Sequence, residues 1–202
     1  MTRVGRSELF LIYALTEAAK ALGHFDRAGE LAGRVEVVAE GVERLENQTV
    51  LDALKLGLQS AAGVSRVFWP SARTKESRVV ANVRAEELRK LTGLEADTAS
   101  HALGQRSWRD HVEHLDERID ARIQEDGTPF IAVELVQHDE GMVEYMSAVP
   151  LGYDAASNTL LFFGEPQAVS ELQDALVDIR DRCSEGLSII REMYATADVK
   201  GA

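Results

Sequence analysis

The chain has 202 residues, 45% of them hydrophobic, 6% aromatic and only 4 proline, which is enough to bury a core in one domain and too apolar for a disordered polymer. A formal net charge of -12 argues against a protein that coats nucleic acid or a membrane surface through a basic excess, although it is compatible with a small local anion site. The single cysteine, Cys183, rules out an intrachain disulfide; it points to a reducing, cytoplasmic setting in which the thiol packs as a small apolar group.

Arg3 and Arg6 precede an apolar run at 9–15 that superficially resembles a signal peptide. Glu8, Glu17 and Lys20 interrupt it at helical spacing and no small-residue cleavage site follows, so the spacing predicts an amphipathic helix. Ser7 is its expected N-cap and Leu22 its approximate end. No stretch approaches the ~20 apolar residues that a membrane span needs. A longer helical pattern covers 28–67 through Leu31, Val35, Val38, Val42, Leu45, Val50, Leu54 and Leu58, with a weak point at Asn47 and Gln48 and a stop at Pro70. Residues 71–80 read as a polar, basic-leaning connection, and 84–91 as a short helix closed by Thr92 and Gly93.

A strongly helical segment over 99–123 ends in the turn signal from Glu125 to Pro129. The period then becomes strand-like. Residues 130–136 and 142–149 flank His138 to Gly141 as a hairpin, and 158–163 supplies a third strand after the polar turn 153–157. Glu165 and Pro166 are expected to open a last helix to about Tyr194, with Val169, Leu172, Leu176, Ile179 and Cys183 as its buried stripe and a fraying tail. The expected fold is mainly α: one domain over 1–202, with a helical bundle core at 7–123, a small three-stranded antiparallel β-meander at 130–163 and a C-terminal helix at 165–195. A lone meander is marginal, so it should pack on the bundle.

Arg109, Asp110, His111 and His114 lie in the middle of the 99–123 helix. A guanidinium can hold a phosphate at two points, and an imidazole moves a proton near neutral pH. At 100° per residue, Trp108, Val112, Leu115, Ile119 and Ile123 form the expected core stripe, and Ser107, His111, His114 and Arg118 a polar column. Arg109 and His114 then stand about 140° apart, so both address one ligand only if it lies across the helix or a second copy faces the first. The bland reading is a solvated mixed-charge face, in which Arg106–Asp110 and Arg109–Glu113 are ordinary i,i+4 pairs.

An arginine, a polar residue and a histidine in this order on a late helix of a small bundle resemble the HEPN superfamily, with Arg109, Asp110 and His114 on its motif. The resemblance implies a metal-independent endoribonuclease that works as a homodimer on RNA or a nucleotide, in a toxin or defence setting with a protein antitoxin as partner. In that reading His114 is the general acid or base at the ribose 2′-hydroxyl and the leaving oxygen. Arg109 binds the scissile phosphate, and Asp110 orients its neighbours. His111, Arg118 and Arg106 are the adjoining candidates for binding. Many members of the superfamily lack activity and serve as binding or structural modules. Glu113, Asp116 and Glu117 would repel a phosphate backbone, while the basic residues from Arg66 to Arg78, with Arg84, Arg89 and Lys90, would offset them if folded nearby.

Two other classes compete. His111 and His114, at i,i+3, with His101 upstream, suggest a metal-binding bundle, but Glu-x-x-His pairs are missing and Arg118 puts a cation where a cation would bind. A non-catalytic interaction protein would use the polar column only as a dimer seam. His24 and His138 read as surface or loop histidines, and Tyr145 and Tyr153 as packing residues. No cofactor is called for by any motif.

Overall fold

The computed structural model describes residues 5–33, 40–71, 74–94, 100–127, 134–137 and 149–200, without the side chains of 40–46, Arg106, Val112, Asp126, Gln137 and 197–200. The fold is mainly α with a small sheet before the last helix: α1 (Arg6–Ala32), α2 (Glu40–Phe68), α3 (Lys75–Leu91), a 3-10 turn (Ala102–Gly104), α4 (Arg106–Glu113), α5 (Leu115–Asp126), β1 (Glu134–Gln137), β2 (Leu151–Asp154), β3 (Thr159–Phe162), β4 (Glu165–Ala168) and α6 (Val169–Lys200).

The first helix ends at Ala32, ten residues beyond the expected Leu22. Leu11, Ala14, Ala18, Ala21, Phe25, Ala28 and Ala32 are all buried, alternating steps of three and four along 27 residues. Alanine at these positions lets α2 and α6 approach closely, with Ala53, Ala61 and Ala62 answering from α2. Gly57 completes this contact, since a Cβ there would stand 2.7 Å from the Phe25 ring. Residues 28–32 therefore belong to α1, and Ser7 lies inside it; Gly5 is the N-cap and makes no side-chain cap bond. Asn47 and Gln48 do not interrupt α2, where Gln48 donates to Asp52 across one turn.

The helix α3 starts nine residues before the expected 84, because Thr74 and Ser77 form a reciprocal capping box that the basic composition of 71–80 obscured. Thr92 and Gly93 end it as expected, with Gly93 at φ 67°. Along α6, Val169, Leu172, Leu176, Ile179 and Cys183 are buried as the stripe required. The helix runs to Lys200, past the expected fray. Burial in apolar surroundings pushes the Cys183 thiol up to about 12, as suits a packing cysteine.

The sheet order is β1-β2-β3-β4, with β2, β3 and β4 antiparallel and β1 parallel to β2. The antiparallel meander thus occupies 151–168, later than expected, and has β1 as a fourth strand. Most of the hairpin expected at 130–149, His138 and Tyr145 included, lies outside the described residues. Glu165 and Pro166 belong to β4 and do not open α6: Phe163 and Gly164 make a tight turn with φ 52° and 84°, reversing the chain. Proline is tolerated because β4 is an edge strand. Val136, Leu151, Tyr153, Leu160 and Phe162 join the helical residues in one continuous core, so the sheet packs on the bundle. Tyr153 is a packing residue whose hydroxyl donates to Asn158. No helix among the described residues is long and apolar enough to cross a membrane.

Candidate functional site

Pro70 stops α2, and a helix that stops leaves its last carbonyls without intrahelical donors. Three arginines from elsewhere supply them. Arg84 donates to the Arg66 carbonyl, Arg89 to the Phe68 carbonyl, and Arg109 to the Trp69 carbonyl at 3.2 Å. Cations at a helix C-terminus also meet the negative end of its dipole. Arg182 does the same for α3, donating to Gly93 at 3.0 Å while Asp178 holds its Nε at 2.7 Å. Of the basic residues expected to offset the motif's carboxylates, Arg66 pairs with Glu113, while Arg84 and Arg89 cap the end of α2.

Arg109 is the most enclosed of these groups, with 1% of its surface exposed. Its Nη1 also donates at 3.0 Å to Ser65 Oγ, whose hydroxyl donates at 2.7 Å to the Leu103 carbonyl. One side chain thereby ties α4 to α2, and Ser65 extends the tie to the 3-10 turn. Trp108, beside it, is buried and donates from Nε1 to the Ala102 carbonyl. This cluster fixes α4 on the bundle.

The helix breaks five residues later. His114 takes φ -127° and ψ 35°, capping α4 through its N–H to the Asp110 carbonyl and starting α5 through its own carbonyl to the Arg118 N–H. The continuous helix expected over 99–123 is therefore three pieces. The core stripe changes accordingly: Trp108 is buried, Leu115 and Ile119 are half-buried, and Ile123 is exposed. The side chain of His114 is 51% exposed, with Nδ1 at 3.3 Å from Glu117. One member of the motif pair is sealed inside the molecule and the other faces solvent.

His111 has only 3% of its surface exposed. Its ring lies parallel to Phe162 at 4.9 Å, and its Nε2 is 3.2 Å from the Glu165 carboxylate. A carboxylate accepts, so Nε2 carries the proton; burial, which disfavours the imidazolium, favours the form in which Nδ1 is a bare acceptor. Burial holds its pKa below the ordinary value; the Arg118 charge lowers it further, and Glu165 and Asp110 pull the other way. Asp110 is half-buried on the same helix. Arg106 opens α4, and its side chain lies outside the described set.

The three histidines weighed for a metal stand in separate surroundings. His101 caps the 3-10 turn, stacks on Trp69 at 4.9 Å and faces Asp178; His111 faces Glu165, and His114 faces Glu117. Among the described residues no group of three histidine, cysteine or acidic side chains is placed to hold a metal ion. His24 is half-buried within α1. Scans against protein-family models, curated proteins and solved structures gave no match for this chain.

Sequence reasoning missed Ser65, which lies in the expected helix but is engaged by a residue 44 positions away, and Glu165, which belongs to a strand where a helix start was expected. The signal for Ser65 was a small hydroxyl directly after the apolar run Ala61-Ala62-Gly63-Val64 near the end of the helix.

Proposed function

We propose that this chain is a non-catalytic HEPN-like module, in which the Arg109–His114 motif is a structural joint and the work is done by association with a second copy. The observation that carries this reading is the burial of Arg109 on Ser65 Oγ and the Trp69 carbonyl. A phosphate-binding guanidinium needs free donors in a cleft, and catalysis needs it close to the imidazole. Here the guanidinium caps α2 from inside the core, and His114 sits outside with a carboxylate beside it.

Association is supported by α3. Val79, Val80 and Val83 are 58%, 56% and 51% exposed, a strip of apolar surface on a helix held by Arg84 lying 4.4 Å over the Phe10 ring. Exposed apolar surface of this kind marks docking faces, and the HEPN resemblance implies a two-fold pair. The test is RNA cleavage by the purified chain in EDTA, beside its mass by light scattering. A dimer that leaves RNA intact supports the module. Cleavage leaving 2′,3′-cyclic ends, lost in His114→Ala, would make the motif a ribonuclease site and sink this reading.

A further inference from the structure

Between α2, α4, α5 and the sheet lies a cavity of about 200 Å³, lined by none of the Arg109 joint's residues and independent of the reading above. Its apolar walls are Leu58, Leu115, Leu151 and Phe162, and its polar lining includes Lys55, Glu134 and His111. We propose that this cavity binds an uncharged single-ring molecule carrying an N–H or O–H donor.

Size sets the first limit. An apolar cavity of roughly 150 Å³ holds one benzene ring, and drug-sized ligands take about 300 Å³ or more. The space here fits one ring with a small substituent. Charge sets the second. The Lys55 ammonium is 2.5 Å from Glu134, so the one cation and the one carboxylate of the lining are paired with each other. An anion would meet Glu134 and a cation would meet Lys55, and either would lose its hydration against the leucine walls with no unpaired countercharge to replace it. An uncharged ring meets neither cost.

His111 sets the third. Its Nε2–H is committed to Glu165, and its Nδ1 is shielded from solvent with no hydrogen-bond partner. A buried acceptor left unmet is unfavourable, and a donor on the occupant removes that deficit. Because Nδ1 is enclosed where it stands, the ring must shift for an occupant's donor to meet it, and the His111 ring signals are therefore the reporter of binding.

Phenolic compounds and pyrimidine bases share this chemistry, so phenol and uracil are the two probes, with benzene as the ring that has no donor. They are titrated into the full chain at pH 7.5 while the histidine ring carbon–proton signals are followed by NMR. A saturable shift of His111 in the millimolar range is expected, tighter than benzene by about fivefold, the value of one net hydrogen bond. A response to phenol alone assigns a phenolic ligand, and a response to uracil alone assigns a nucleobase. Leu115→Trp, at a half-buried lining position, should fill the cavity and abolish the shift while the helical spectrum is unchanged. The proposal is overturned by no saturable shift with either probe, by shifts that persist in Leu115→Trp, or by benzene binding as tightly as both.

Discussion

Ser65 shows how a single hydroxyl can organise three elements. It accepts from Arg109 and donates to the Leu103 carbonyl, both contacts buried. Replacing it with alanine leaves a buried guanidinium N–H and a buried carbonyl unmet, which should cost about 1–3 kcal/mol; urea unfolding of Ser65→Ala measures this. His111 gives a pH dependence at the same scale. Its folded pKa lies below the unfolded value, with burial the main cause, Arg118 adding to it, and Glu165 and Asp110 opposing. Above about pH 6.5 both states are neutral and stability is at its full value. As pH falls through that point the unfolded chain takes the proton first, so stability declines until the folded pKa is reached and then levels. His111→Phe should flatten this part of the profile between about pH 7 and 5, read from unfolding midpoints in a pH series.

At the scale of elements, the chain was legible where burial follows one period. The α6 stripe from Val169 to Cys183 could be read directly, and so could the stop of α2 at Pro70. The α1 core was harder, because Ala18, Ala21, Ala28 and Ala32 carry no hydropathy contrast although they sit at coiled-coil spacing. Gly57 records how close that packing is. Gly57→Ala should destabilise by about 1–3 kcal/mol despite alanine's better helix propensity, because the Phe25 ring occupies the space. The calorimetric Tm checks it. Thr74→Ala, which removes the capping box of α3, should cost about 1 kcal/mol in the same assay. The start of β4 was illegible for a local reason. Phe163 adopts a left-handed conformation that bulky residues rarely take, so the turn before Glu165 had no glycine–asparagine signature at its first position. The break at His114 was hidden likewise, since nothing in the sequence around it disfavours helix.

For the whole molecule, the candidate site was legible as a set of residues but not as an arrangement. Helical spacing put Arg109 and His114 on different faces, and they do have opposite environments. What spacing could not show is that α2 ends beside α4, so that Arg109 is consumed as a cap. The same long-range placement gathers Arg84, Arg89 and Arg109 around one helix end, where their N–H donors meet backbone carbonyls. If the molecule acts as a pair through α3, Val80→Asp should convert the dimer to a monomer without loss of helix content, as read by light scattering and circular dichroism.

The central claim is that Arg109 builds the protein and does not meet a ligand. Equilibrium unfolding of Arg109→Ala beside His114→Ala tests it most directly. The account predicts a loss of about 3 kcal/mol or more for Arg109→Ala, from the emptied space and the unmet Ser65 and Trp69 acceptors, and a change within about 0.5 kcal/mol for the exposed His114→Ala. Arg109→Ala unfolding at the wild-type midpoint would contradict it, because a guanidinium that contributes nothing to the fold is free to serve a substrate.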